Sequence, residues 1–406
     1  MTRRKNTFAL MVAVTVAGSL LLAACSSKDS DSITTTSTDS SLKVGTVPED
    51  EVWIGLEAPL TGDQAGVGTD MIEGAQLAAK ELNAKGGIAG KQVKIVPIDD
   101  EADPKAGVVA AKAAIAKGLS AVVGPYNSGV GSETLPLYIE AGIVPLRFTS
   151  ADATQGLGFT LQPMTSQIAP VATTAIATWQ GAKKVALIYD SSAEYTVDAD
   201  TAMVASLGAA SVEVVANIPV EPDKTDYSEA VKEAQAKGAD LVYLITYYPE
   251  AAVLAKNILA SGSPLKCLGD YSATDDAFVT EAGPEAARKC PLVGVPAPSD
   301  FPNSAALVAA FKAEFKEDPG TWTPYAYDSV NVLAEAAEIA GTFEAKALET
   351  ALQELVTVAG WTGPAAFEPK TGNRVPAPVV VVSPSADGTL HVNESWATAT
   401  GFKLAE

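Results

Sequence analysis

Leu241-Val-Tyr-Leu-Ile-Thr246 is followed by Tyr-Tyr and then by Pro249 to Ala260, an Ala-rich stretch with helical spacing that stops short of Gly262. The first run carries no charge and is apolar on both faces of the strand it would form. Such a strand belongs inside a parallel sheet covered by helices on both sides. Gly262 stands where a helix C-terminal cap belongs.

The same unit recurs on either side. Strands are predicted at Val52-Trp-Ile-Gly-Leu56, Val93-Lys-Ile-Val-Pro-Ile98, Ala121-Val-Val-Gly124, Val185-Ala-Leu-Ile-Tyr189 and Val212-Glu-Val-Val215. Helices are predicted over Asp70 to Lys85, Pro104 to Lys117, Ser166 to Trp179, Ala193 to Leu207 and Tyr227 to Lys237. Gly86-Gly87, Gly118, Gly208 and Gly238 follow most of them as caps. This alternation predicts an α/β protein of two doubly wound, Rossmann-like lobes, with ligands at the carboxyl edges of the strands.

Further strands are expected at Leu265, Leu292-Val-Gly-Val295, Pro378-Val-Val-Val-Val-Ser383 and Thr389-Leu-His-Val392, and helices over Ala305 to Phe315, Tyr325 to Ala340 and Ala345 to Leu355. The expected organisation is a first lobe of residues 51–170 plus 300–375 and a second of 171–299 plus 376–406. Several crossings would form a multi-strand hinge over a cleft that closes on a ligand.

Composition bounds the function. The 406 residues are 47% apolar and 19% charged, with 32 Gly and 25 Pro spread along the chain, which excludes disordered, collagen-like and coiled-coil proteins. Lys plus Arg number 28 against 49 Asp plus Glu, a net charge of −21 that a phosphate backbone would repel, so no nucleic-acid partner is expected. One histidine and three cysteines leave zinc sites and most His-based catalytic relays without their parts, and neither a metal nor a cofactor is expected.

Met1-Thr-Arg-Arg-Lys5, the apolar run Phe8 to Ala24 and Leu22-Ala-Ala-Cys25 read as a signal peptide of residues 1–24. The run is too short for a spanning helix. Leu-Ala-Ala-Cys resembles the bacterial lipobox, which implies that Cys25 is lipidated and begins the mature chain. Residues 25–50 then form a tether, because Ser26 to Ser41 holds a single apolar residue, Ile33. The expected location is outside the cytoplasm, lipid-anchored to the membrane. In that oxidising setting Cys267 and Cys290 are expected to pair.

Motifs for catalysis fall short. Gly66-Val-Gly68 lacks the third glycine of a dinucleotide fingerprint, and Gly124-Pro-Tyr-Asn-Ser-Gly129 lacks the Lys and Ser/Thr of a P-loop. No Gly-x-Ser-x-Gly elbow occurs, and His391 reads as a half-exposed strand residue with only Glu394 nearby. Asp99-Asp-Glu-Ala-Asp103 before Pro104 reads as a helix start capped by Asp103 rather than a calcium loop. Gly124 to Gly129 does lie between a buried strand and the helical run Val130 to Glu140. Ser128 there either caps its helix or donates to a ligand carboxylate at the helix N-terminus.

Ile54-Gly-Leu-Glu-Ala-Pro-Leu-Thr-Gly62, Gly74-Ala-Gln-Leu-Ala78, Leu82-Asn-Ala-Lys-Gly-Gly-Ile-Ala-Gly90, Ala141-Gly-Ile-Val-Pro145 and Tyr325-Ala-Tyr-Asp-Ser329, in this order, resemble the branched-chain amino-acid-binding (leucine/isoleucine/valine) proteins of ABC importers, the type I periplasmic binding proteins. The likeness runs from Glu51 to Ser383. It implies a small-molecule ligand, an ABC permease as partner and no catalysis, the chain acting as a monomer. A sensor docking on a signalling membrane protein is the alternative, and a secreted hydrolase a remoter one.

The resemblance assigns Ser128 to the ligand carboxylate, Ser150 and Asp152 to the clamp on the α-carboxylate and α-amine, and Tyr195 to closure from the second lobe. Tyr247 or Tyr248 would lie on a neighbouring strand end, and Tyr325 and Tyr327 at the mouth. Three positions depart: Asp152 replaces a threonine, Val67 an aromatic residue, and Tyr271 rather than Asp270 falls on the amine-binding acid. An anionic Asp152 would repel a carboxylate and favour a cation or a polar donor. Arg147 would offset that charge, bind an anion itself, or pair with Asp152 at the surface.

Overall fold

A computed structural model of the protein describes residues 47–302, 304–355, 360–386 and 388–403. The signal peptide, Cys25 and nearly all of the tether lie outside the described residues.

Strands β1 (Glu51–Ala58), β2 (Gln92–Asp99), β3 (Ala121–Val123) and β4 (Val144–Leu146) form a parallel sheet in the order β2-β1-β3-β4. Central β1 buries its last five residues, whereas edge strand β2 mixes buried and exposed positions along its length. Helices Ala65–Ala84, Pro104–Ile115 and Ser128–Glu140 follow the first three strands. Helix Thr323–Ala340, far along the chain, lies against Ala65–Ala84. Gly74 makes that approach possible, since a Cβ there would stand 2.3 Å from the Thr323 carbonyl oxygen.

The second sheet carries β5 (Lys184–Asp190), β6 (Glu213–Val220), β7 (Leu241–Ile245), β8 (Lys266–Gly269) and β9 (Leu292–Gly294), all parallel. After a two-stranded antiparallel pair, β10 (Ala366–Phe367) and β11 (Arg374–Val375), strands β12 (Val380–Pro384) and β13 (Leu390–Val392) add antiparallel beside β9. The order is β13-β12-β9-β8-β7-β5-β6. β7, all five residues buried, is interior to this sheet, as an uncharged run apolar on both faces requires.

Three local readings change. Gly208 lies inside helix Glu194–Ala209, and the turn is made instead by Ser211 with φ 58°. The helix expected to Trp179 is α-helical over Thr165–Thr174 and then widens through Ala175–Trp179, where the Gln180 N–H donates to the Ala175 carbonyl at 2.8 Å. The strand at Val212 runs on to Val220 because it occupies a sheet edge, where Pro219 is tolerated.

The chain passes from the first sheet to the second between β4 and β5, leaves after β9, and returns at β12. Segments of these crossings lie side by side, Leu146 bridging Phe159 and Thr160 bridging Asn373. Arg147 and Arg374, both buried, tie the segments together. Arg147 donates to the Asn373 side-chain oxygen at 2.7 Å and to the Thr149 carbonyl at 3.0 Å, and Arg374 to the Thr362 carbonyl at 2.7 Å and the Pro376 carbonyl at 3.1 Å.

Candidate functional site

The carboxyl ends of β3, β4, β7 and β8 converge between the lobes. After β3 the chain turns through Gly124, whose φ of 102° is open to glycine and whose Cβ would meet the Glu57 carbonyl oxygen at 2.0 Å. Asn127 occupies the N-cap position without a side-chain cap and donates to the Gln64 side-chain oxygen at 3.0 Å. Ser128 is the first helical residue. Its Oγ accepts from the Ala151 N–H at 3.1 Å, so it pins the loop after β4 rather than capping its helix.

Tyr126, Ser128, Phe148, Ser150, Tyr195, Tyr247, Tyr271 and Ser272 line a small inner cavity of about 10 Å³. Trp322 backs it, its ring centroid 5.3 Å from Tyr126 and 5.6 Å from Tyr271 in edge-on contacts. Tyr195 lies 6.4 Å from Tyr247 and 6.2 Å from Tyr271. Ser150, 3% exposed, has an Oγ without a hydrogen bond of normal geometry. Burial holds the phenols of Tyr126, Tyr195, Tyr247 and Tyr271 above their ordinary range, so all four stay protonated donors.

Of the nominated residues, Ser128, Ser150, Tyr195, Tyr247 and Tyr271 thus meet at one cavity. Asp270 lies behind them, accepting from the Tyr195 hydroxyl at 2.8 Å, the Tyr243 hydroxyl at 2.6 Å and the Ser272 hydroxyl at 3.2 Å. Burial pushes its carboxyl up against the pull of these donors. Tyr271 therefore faces the cavity, its hydroxyl donating to the Gln162 side-chain oxygen, and Asp270 supports the wall.

The other nominations lie elsewhere. Asp152 is half-buried off the cavity, and its carboxylate accepts from the Ser166 hydroxyl at 2.9 Å and N–H at 3.3 Å. Tyr325 is buried against Trp322 and Phe301, Tyr327 donates to Glu81 at 2.7 Å, and Tyr248 donates across the cleft to the Asp63 carbonyl at 2.5 Å. Arg147 is no surface partner of Asp152: it is fully buried, and loss of water lowers its guanidinium to about 9. Asp103 caps its helix, accepting from the Lys105 and Ala106 N–H groups at 2.9 and 2.8 Å.

His391 differs from expectation in its partner. Its Nδ1 lies 2.7 Å from Asp300, 91 residues away, on the edge strand β13. Cys267 and Cys290 form the expected disulfide, Cα atoms 4.6 Å apart. Sequence reasoning missed Tyr126, Phe148 and Ser272. Their signal was position, since each follows a strand at its carboxyl end.

Tyr247 also lines a wider groove of about 560 Å³ at the cleft mouth. It lies between Asp63, Gln64, Asn127 and Glu133 of the first lobe and Asp190, Glu194 and Glu250 of the second. The lobes touch here, the Ser132 hydroxyl donating to Glu194.

Two α/β lobes with several crossings and a cavity at the strand ends have the build of a hinged binding protein. The sequence profile of the periplasmic binding protein family matches residues 51–389. A Leu/Ile/Val-binding protein of Rhizobium johnstonii is 32% identical over 311 residues, 75% of this chain and 84% of that protein. Among solved structures, a leucine-binding protein of Thermotoga maritima superposes with a TM-score of 0.78 at 21% identity, covering 84% of this chain and 97% of that one. A solute-binding protein of an ABC transporter from Rhodopseudomonas palustris, in complex with 3,4-dihydroxybenzoic acid, reaches 0.75 at 21% identity over 85% and 96%. The chain belongs to the periplasmic binding protein family, in its branched-chain amino-acid type I group. This is a family of substrate-binding proteins that work outside the cytoplasm, and no helix among the described residues is long and apolar enough to cross a membrane.

Proposed function

We propose that the chain captures an amino acid or a close relative in the inner cavity and delivers it to an ABC permease, catalysing no reaction and held at the membrane as a monomer by a lipid on Cys25. The observation that carries the reading is the cavity itself. Ser128 stands at the first turn of helix Ser128–Glu140, where backbone N–H groups favour a carboxylate, Ser150 lies beside it in the loop after β4, and Tyr195, Tyr247 and Tyr271 supply the opposite wall. Ser150 Oγ, buried beside the Tyr271 hydroxyl and without another partner of normal geometry, is free to donate to a ligand. The Leu/Ile/Val-binding name of the relative supports an amino-acid ligand.

The test is a thermal-shift screen of the full chain against the proteinogenic amino acids and their amides. A ligand present at a hundredfold excess over Kd should stabilise the fold by about 2.7 kcal/mol. Ser150→Ala should leave the unliganded melting temperature nearly unchanged and remove most of the shift. Absence of any shift in the unaltered chain would overturn the reading.

A further inference from the structure

Across the groove at the cleft mouth, Asp63, Glu101 and Glu133 of the first lobe face Asp190, Glu194, Asp223 and Glu250 of the second, and no lysine, arginine or histidine lines it. Their hydrogen bonds come from neutral donors, the Ser132 hydroxyl to Glu194, the Ser192 hydroxyl to Asp190 and the Asp223 N–H to Glu250, so no positive side chain offsets these acids. Closing the lobes brings these like charges together. The Asn127 side chain, 7% exposed and lining the same groove, donates to Gln64 at 3.0 Å and lies against the Tyr247 hydroxyl, and its Oδ1 is left without an acceptor contact of normal geometry. Ser150 repeats that condition in the inner cavity, which shares Tyr247 with the groove.

The two buried arginines near the hinge turn their guanidinium groups to backbone carbonyls and Asn373, so neither offsets the mouth. Among the described residues no group of His, Cys, Asp and Glu is gathered tightly enough to hold a metal ion. Acids spread over a wide groove match an extended organic cation better than a point charge. The tyrosine faces between cavity and groove attract such a cation as well.

Resting on the solute-binding reading, we propose that the ligand is a basic amino acid. Its α-carboxylate and α-amine lie in the inner cavity against Ser128, Ser150 and the tyrosines. Its cationic side chain passes Tyr247 into the acidic groove, where it meets Asn127 Oδ1 and the facing carboxylates.

The experiment is isothermal titration of the full chain with L-lysine, L-arginine, L-leucine, L-isoleucine and L-valine, at low and at high salt. Lysine or arginine should bind at least about tenfold more tightly than leucine, and salt should erode that preference. Glu250→Gln and the exposed Glu133→Gln should each reduce it about fivefold, the second without burden on the fold. Leucine, isoleucine or valine binding as tightly as lysine and arginine would overturn the inference and leave the solute-binding reading standing. Binding by none of the five, nor by any compound in the thermal screen, would overturn both.

Discussion

Asp270 receives two tyrosine hydroxyls of similar geometry, and only one of them belongs to the cavity. Tyr195 lines it, whereas Tyr243 is wholly buried in β7. Removing either hydroxyl deletes one hydrogen bond to a buried carboxylate, so Tyr195→Phe and Tyr243→Phe should each cost about 1.5–3 kcal/mol of stability. Calorimetric melting would show similar losses in the two variants. Ligand titration should separate them, with affinity falling in Tyr195→Phe and held in Tyr243→Phe; equal falls would mean that Asp270, not the Tyr195 wall, controls binding. At this scale the sequence carried part of the site. Ser128, Ser150, Tyr195, Tyr247 and Tyr271 could be nominated because they sit in loops after strands. Whether Asp270 or its neighbour faces inward depends on the turn after β8 and on tyrosines that compete for the carboxylate, and no residue spacing states that. Asp152 was misplaced for the same reason, since the N–H of Ser166 and its hydroxyl draw the side chain away from the cavity.

The segment from β8 to β9 shows how an element can be set from outside itself. Cys267 on β8 and Cys290 just before β9 close a loop with a sequence separation of 23, and that loop carries Asp270, Tyr271 and Ser272. Opening it frees the unfolded chain by about 3 kcal/mol on the loop-entropy account, so Cys267→Ser with Cys290→Ser should lower the melting temperature by several degrees. Ligand affinity should drop too, because Tyr271 would have to be ordered on binding. Unchanged affinity in the double variant would show that packing of Tyr271 against Trp322 suffices to hold the loop. Among elements, interior strands were the most legible. β7 is uncharged because both its faces are covered. β4 was not predicted as a strand, since three residues that include Pro145 carry no period, and they pair only because β3 offers its edge. Gly208 misled because a glycine can sit inside a helix when Ser211 takes the left-handed turn.

The whole molecule is acidic, with a net charge of −21, and it buries several of its acids. Burial pushes Asp100 up to about 7, with the Ala102 N–H pulling down and Asp99 pushing further up. Burial likewise raises Asp275 to about 6, and it moves Glu57, Asp70 and Asp328 upward. Carboxyls of an unfolded chain ionise near pH 4, so between about pH 4 and 7 the folded protein holds protons that the unfolded chain has released. Stability therefore falls as pH rises through that window. Self-repulsion of the negative charge acts in the same direction. Asp240, held down by the Lys183 and Lys184 N–H groups, opposes it only below about pH 4, where its own ionisation is lost. The melting temperature should thus be several degrees higher at pH 5.5 than at pH 8. Asp100→Asn, which keeps the shape and removes the ionisable group, should raise the pH 8 value and flatten the profile. A profile that is flat or rises toward pH 8 would show that these buried acids meet enough water or donors in solution to ionise without cost.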